Sequence, residues 1–348
     1  MPTRHHLDLS GRATLVASGD ARAAGHVATL IQEGAHVTVV APEVVATIED
    51  LADRGLIIWH PRAVQPADLD TVWFVVTDDD DVLTQAESRR IPHLGLAAAD
   101  AQPHAGLGRV TLVGGGPGDP GLLTVAGREA LETADVIVTD RLAPLAALTW
   151  ARADAEIVDV AKIPGGRSTS QDEINRLLVE GARAGKHVVR FKGGDNFVFG
   201  RGSEELIACA EAGVPASVVP GVTSAIAAPA LAGVPVTHRG LTQGFTAISG
   251  HVPPDHPDST LDYGALARSG TTIVVLMGVR TLGAICTALV EGGIDPDTPA
   301  AFIADGALPS QRVVRARVAD IADAVSASGL GAPAVTVIGA VAGLEGLA

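Results

Sequence analysis

A chain of 348 residues with a net charge of −15 has room for two or three domains and lacks the broad basic surface that nucleic acid requires. Hydrophobic residues make up 47% of it and aromatics only 3%, so its cores are built from Ala, Val, Leu and Ile. Cys209 and Cys286 stand far apart, which argues against a disulfide framework or a CxxC zinc site and for a reducing compartment. The first residues, Met-Pro-Thr-Arg-His-His, form no apolar signal core, and no run of about 18 apolar residues suggests a membrane span. The expectation is a cytoplasmic protein with no membrane partner.

In chain order, apolar runs alternate with helical patterns, the signature of an α/β protein. The first third predicts strands at 13–17, 36–40 and 72–76, with a helix over 21–33 that Gly34 ends. This is the βαβ start of a small Rossmann-like unit, expected over residues 1–105. Its glycine fingerprint is broken. The three positions that require Gly, Gly and Gly/Ala read Ser18, Asp20 and Ala23, and Asp20 brings bulk and negative charge to the place where a pyrophosphate would approach. NAD is therefore a doubtful ligand. The run Asp78-Asp79-Asp80-Asp81 reads as a solvated turn. Residues 100–108 read as a linker.

The chain restarts with a strand at 109–113 and a glycine-rich turn, Gly114-Gly115-Gly116-Pro117-Gly118-Asp119, expected to open a helix near Leu122. Bare glycine backbone allows a ligand close approach. Pro117, however, has no N–H to offer a phosphate, and Asp119 would repel one, so the turn suits a neutral or cationic ligand. Strands follow at 136–139, 156–160, 188–191 and 217–219. Asp140 stands at the end of the first of these, where α/β sheets place ligand chemistry or where a helix is capped. Lysine occurs only at Lys162, Lys186 and Lys192 in a chain that otherwise uses arginine. The stretch from Lys192 to Gly202, with paired glycines, an acid and two phenylalanines, reads as a specific ligand loop. Pro220-Gly221-Val222-Thr223-Ser224 is a tight turn that opens a helix, with a plain N-cap as the simpler reading. Later strands at 245–249, 272–277, 299–304, 312–317 and 335–339 have fewer helices between them. They predict a mixed-sheet last domain, with boundaries expected at 109–235 and 236–348.

These motifs together resemble the tetrapyrrole methyltransferases over residues 109–348. The likeness runs through Gly114–Asp119, Asp140-Arg141-Leu142, Lys162, Gln171–Asn175, Lys192–Gly202, Val218–Ser224, Thr237-His238-Arg239, Gly250-His251, Met277-Gly278 and Asp305-Gly306. Residues 1–100 more weakly resemble the dehydrogenase half of bifunctional siroheme synthases. The resemblance implies a two-subdomain methylase fold with its site in the cleft between subdomains, a homodimer, and S-adenosylmethionine as methyl donor. It implies two C-methylations of uroporphyrinogen III, at carbons 2 and 7, giving precorrin-2. The matching donor-binding positions are Pro117, Gly193, Gly194, Asp195, Val198, Thr223, Ser224, Met277 and Gly306. Asp140 matches the proton acceptor and Lys162 the proton donor. An octa-anionic substrate asks an acidic protein for a local basic patch, for which Arg141, Lys162, Arg167, Lys192, Arg201, His238, Arg239 and His251 are candidates. No metal site is expected.

The chain departs from the family pattern at Ile163, where arginine is usual, at Arg167 in place of histidine, at Thr139 in place of tyrosine, and at Asn196 in place of proline. In the first third, Asp100 is the nearest counterpart of the catalytic aspartate. The segment that supplies dimerisation and chelatase surface in siroheme synthases is missing. Alternative expectations are a methylase for a later corrinoid precursor, or a bifunctional chain that also oxidises precorrin-2 with NAD.

Overall fold

The computed structural model describes residues 9–96, 106–161, 169–344 and 346. They form three five-stranded sheets, one after another along the chain. Lys162 and Arg167, two of the expected site residues, and Asp100 lie outside the described residues.

The first sheet holds β1 (Ala13–Ala17), β2 (His36–Val40), β3 (Ile58–His60), β4 (Phe74–Thr77) and β5 (His93–Gly95) in the order β3-β2-β1-β4-β5. All neighbours are parallel. The order reverses between β1 and β4, as in a Rossmann-like unit. Its helices are α1 (Ala21–Gln32), α2 (Ala46–Asp53) and α3 (Asp80–Ser88). The edge strands β3 and β5, absent from the sequence expectation, are three residues each, too short to show a period. The acidic run caps α3: the Asp79 carboxylate accepts from the Asp81 and Val82 amides, the expected solvated turn put to use as an N-cap.

The second sheet comprises β6 (Arg109–Gly114), β7 (Val136–Thr139), β8 (Glu156–Asp159), β9 (His187–Lys192) and β10 (Ala216–Val219), with α4 (Val125–Glu132), α5 (Gln171–Arg183) and α6 (Gly202–Glu211). Its order is β10-β6-β9-β7-β8, again all parallel. The glycine turn does not open α4 near Leu122 as expected. A short 3-10 turn, Pro120–Leu122, comes first, and α4 starts only after Thr124, whose hydroxyl accepts from the Gly127 amide.

The Rossmann-like unit and this sheet belong to one compact unit, residues 1–221. Helix α1 packs on the 3-10 helix Leu145–Trp150. Gly25 makes this possible, because a Cβ there would sit 2.9 Å from the Leu148 Cβ and 3.0 Å from the Leu145 carbonyl oxygen. Arg22 Nη2 donates to the Ala155 carbonyl at 2.7 Å, and Gln32 Nε2 to that of Gly118 at 3.2 Å.

A second compact unit, residues 222–348, holds the third sheet. It contains α7 (Ser224–Leu231), β11 (Phe245–Ser249), α8 (Tyr263–Ala267), β12 (Thr272–Leu276), α9 (Leu282–Glu291), β13 (Pro299–Ala304), β14 (Arg312–Arg317), α10 (Ile321–Ser328) and β15 (Ala334–Ile338). The order β11-β12-β15-β13-β14 mixes one parallel pair with three antiparallel ones, the mixed sheet anticipated. The break between units falls ahead of α7, earlier than the expected 235–236 boundary. The reason is packing: Ala225, Ala228 and Ala232 share a buried core with Val274, Ile303 and Val337 of the C-terminal sheet.

Strand β9 is buried along its whole length, although it carries Arg190 and Lys192. Burying two cations is tolerable only if they are paired, and Glu205 of α6, fully buried, pairs with both. Arg190 Nε lies 3.0 Å from Glu205 Oε1 and Lys192 Nζ lies 2.8 Å from Glu205 Oε2.

Two outcomes follow for stability. Glu205→Gln leaves both cations short of an anion in the core and should lower unfolding free energy by about 3–5 kcal/mol. Gly25→Val overpacks the seat of α1 on Leu148 and should cost about 1–3 kcal/mol. Urea denaturation of the full chain, followed by circular dichroism, reads both.

Candidate active site

Because every strand of the second sheet is parallel, the C-terminal ends of β6, β7, β9 and β10 line one edge. That edge collects the Gly114 turn, Asp140-Arg141, the Lys192–Gly202 loop and Pro220-Gly221, the arrangement by which α/β folds assemble ligand sites. The glycines let three loops meet there. A Cβ on Gly114 would lie 2.5 Å from the Gly221 nitrogen, and one on Gly193 would lie 2.2 Å from the Leu142 carbonyl oxygen. Gly116 and Gly194 exchange backbone hydrogen bonds at 3.1 and 2.6 Å.

Two carboxylates take the amides that these turns would otherwise offer to an anion. Asp119 Oδ1 accepts from the Gly121 amide at 2.7 Å. Asp195 Oδ1 accepts from the amides of Phe197 at 2.9 Å and Val198 at 3.2 Å, and its Oδ2 accepts from Gly221 at 3.2 Å. Pro117 contributes no donor. The edge is thus acidic and short of free amides, the reverse of a phosphate cradle. Asn196, where the family pattern has proline, is fully buried; its amide donates to the Val219 carbonyl at 2.9 Å and to that of Leu112 at 3.4 Å, tying the loop to β6 and β10. Phe197, Val198 and Phe199 are exposed beside it, an apolar surface on the loop.

Asp140 sits where the sequence placed it, 24% exposed at the end of β7. Its Oδ1 accepts from the Leu142 amide at 3.1 Å, and its Oδ2 accepts from Arg190 Nη2 at 2.9 Å. Arg190 also donates through Nη1 to the carbonyls of Val138 and Phe191. Arg190 and Glu205, absent from the sequence expectation, therefore fix the expected proton acceptor. The signal for them was a pair of cations inside a strand that otherwise reads as fully buried.

Lys192 departs from its expected substrate contact. Only 5% of its side chain is exposed, and its ammonium is held by Glu205, so it cannot reach out to a carboxylate from outside. Burial first, and then the charge of Arg190, lower its pKa from the ordinary lysine value, while Glu205 raises it. Arg201 is exposed and paired with Glu204 at 2.7 Å. Arg141 pairs with Asp50 of α2 at 3.3 Å.

In the second unit, β11, β12 and β13 run in the same direction, so Gly250-His251, Met277 and Asp305-Gly306 share an edge of the third sheet. Thr223 caps α7, its hydroxyl accepting from the Ala225 amide at 3.3 Å. A Cβ at Gly306 would lie 2.4 Å from the Ala228 Cβ, which sets this loop directly on α7. His238, Arg239 and His251 are exposed. Of the six described non-glycine residues with positive φ, five are Phe199, Arg201, Met277, Asp305 and Ala307. Such conformations concentrate at functional sites, and all five fall in the ligand loops or beside the expected residues.

The first turn of the Rossmann-like unit departs from a dinucleotide cradle. The Asp20 carboxylate caps α1, accepting from the Ala23 amide at 2.7 Å, in the place of a pyrophosphate. Gly19 is backed against the Glu43 carbonyl, 2.0 Å from where a Cβ would be, and its own carbonyl accepts from the Val45 amide. Among the described residues no cluster of His, Cys, Asp and Glu could hold a metal ion, and no helix is long and apolar enough to cross a membrane.

Residues 109–322 match the model of the Tetrapyrrole (Corrin/Porphyrin) Methylases, and residues 6–102 that of a putative NAD(P)-binding family. An S-adenosyl-L-methionine-dependent uroporphyrinogen III methyltransferase of Methanosarcina barkeri is 48% identical over 238 residues, 68% of this chain and 93% of that protein. A siroheme synthase of Zymomonas mobilis is 45% identical, over 68% of this chain; the chain spans about half of that protein's length, 50%. The crystal structure of uroporphyrin-III C-methyl transferase from Thermus thermophilus complexed with S-adenyl homocysteine is 40% identical, with a TM-score of 0.58, over 69% of this chain and 98% of that one. The chain belongs to the tetrapyrrole methylases, and it is a methyltransferase.

Proposed function

We propose that the chain transfers methyl groups from S-adenosylmethionine to carbons 2 and 7 of uroporphyrinogen III, giving precorrin-2. The observation that carries this reading is the chemistry of the two glycine loops. Asp119 and Asp195 occupy the loop amides, which disfavours a phosphate and suits a donor that carries a sulfonium cation and no phosphate. Pro117, Gly193, Gly194, Asp195 and Val198 of the first unit, with Thr223, Ser224, Met277 and Gly306 of the second, are the residues assigned to the donor.

In each transfer the pyrrole carbon attacks the methyl group. A C–C bond forms, the S–CH3 bond breaks with its electron pair left on sulfur, and S-adenosylhomocysteine departs. Holding the two centres in line supplies much of the rate. The methylated ring is then cationic and loses a proton, which Asp140 is assigned to take. Arg190 and the Leu142 amide hold its carboxylate in one orientation, so the proton acceptor is in place before the charge develops. Arg141, Arg201, His238 and Arg239, with Arg167, are assigned to the substrate carboxylates, and Lys162 to proton donation. Lys192 moves from this set to the support of Asp140. A cytoplasmic homodimer completes the reading.

The Rossmann-like unit is assigned no redox step. Asp20 and the closed Gly19 turn disfavour a pyrophosphate, which supports this reading over the alternative of a bifunctional enzyme that also oxidises precorrin-2 with NAD.

Anaerobic incubation of the full chain with uroporphyrinogen III and S-adenosylmethionine should yield precorrin-2, and added NAD should give no sirohydrochlorin. Asp140→Ala should lower kcat by about 10²–10⁴-fold with the affinity for S-adenosylmethionine preserved; full turnover in this variant removes the role given to Asp140. Calorimetric titration of the full chain with NAD should show no heat of binding.

A further inference from the structure

An ion pair joins the Rossmann-like unit to the C-terminal edge of the second sheet. Asp50 lies on α2, and both of its carboxylate oxygens converge on Arg141 Nη1, at 3.3 and 3.5 Å. The two side chains are about equally buried, 14% and 15% exposed, so water screens the pair weakly. Asp50 is itself held in place. Arg54, one turn on, pairs with it at 3.3 Å, and the N-terminus of α2 is pinned by the Thr47 amide, which donates to Asp159 Oδ2 at 3.2 Å at the end of β8. The seat of α1 on the Leu145–Trp150 helix joins the same Rossmann-like unit to the second sheet's layer at a further point.

We propose that Asp50 is a positioning residue for Arg141, and that the Rossmann-like unit is retained because it aims this guanidinium at a carboxylate of the tetrapyrrole. The proposal rests on the reading of uroporphyrinogen III as substrate. The grip on Arg141 is end-on. It uses Nη1 alone, while Nε and Nη2 make no hydrogen bond among the described residues. The Nε–Nη2 edge is one of the two-nitrogen faces by which arginine pairs with a carboxylate bidentately. A latch that competed with substrate would occupy such an edge; this contact leaves it open and removes rotamer freedom from a long side chain, which lowers the entropic cost of binding. Arg141 directly follows Asp140, so aiming it also sets the substrate relative to the proton acceptor.

Steady-state kinetics of the full chain test this. Asp50→Asn keeps the shape of the side chain and removes its charge; it should raise KM for uroporphyrinogen III by about tenfold, the worth of one charge-assisted hydrogen bond, while KM for S-adenosylmethionine stays put. Asp50→Glu should recover part of the loss. In an Arg141→Ala background Asp50→Asn should add nothing, since the two act through one contact. Thermal melts confirm that each variant is folded. An unchanged or lowered KM in Asp50→Asn, or effects that multiply in the double variant, overturn the positioning role alone. A wild-type chain that binds S-adenosylmethionine yet does not methylate uroporphyrinogen III overturns the substrate reading, and the role of Asp50 with it.

Discussion

Four charges meet at the end of β9: Arg190 and Lys192 from the strand, Glu205 from α6 and Asp140 from the end of β7. Two cations face two anions, and only Asp140 has appreciable contact with water. A buried ion cluster of this kind contributes little net stability against a hydrophobic replacement, but breaking it is costly, so its value lies in what it fixes. It fixes the Asp140 carboxylate at the C-terminal end of β7. The Arg190 guanidinium spends its donors on Glu205, on two backbone carbonyls and on Asp140, which leaves the Asp140 side chain little rotational freedom. The parallel sheet around it then brings the glycine loops of β6 and β9 to the same edge. Fold and site thus share one electrostatic anchor.

Acids share a second use at the C-terminal edges of the first two sheets. At Asp119, Asp195 and Asp20 a carboxylate takes backbone amides at a turn or helix start, and each such contact denies the place to a phosphate. In the methylase portion this denial is compatible with a cationic donor. In the Rossmann-like unit the Asp20 carboxylate fills the helix start at which that topology ordinarily receives a pyrophosphate. The contacts of α1 and α2, from Gly25 on Leu148 to Thr47 on Asp159, join this unit to the layer of the second sheet.

Much of this was legible from the sequence because it is local. Strands at 13–17, 36–40, 136–139, 245–249, 299–304 and 312–317 fall where apolar runs and turn residues put them, and a parallel sheet automatically gathers its strand ends. Helix α4 was misplaced because Pro120 begins a 3-10 turn that looks like a helix start, whereas Thr124 supplies the real cap. The break before α7 has no local signal, because an Ala-rich helix carries no mark of which sheet it serves. Lys192 was misread for a related reason: a rare lysine beside glycines looks exposed until its partner is known, and Glu205 lies a loop and a helix start further along the chain.

The Asp50–Arg141 pair had no local signal at all. Its residues are 91 positions apart, in units with separate sheets, and either alone is an ordinary surface charge by composition. Only the seating of α1 and α2 brings them together. A surface ion pair usually contributes little, and what distinguishes this one is its restraint: both partners are largely shielded, Asp50 is held by Arg54, and α2 is pinned by Asp159. An arginine clamped at one nitrogen is pre-organised at the others. The same logic governs Asp140, which Arg190 holds by one oxygen and the Leu142 amide by the other. Adjacent residues at the end of β7, one anionic and one cationic, are therefore each fixed by a partner of opposite charge: Asp140 by Arg190 of the neighbouring strand β9, and Arg141 by Asp50 of α2 in the Rossmann-like unit.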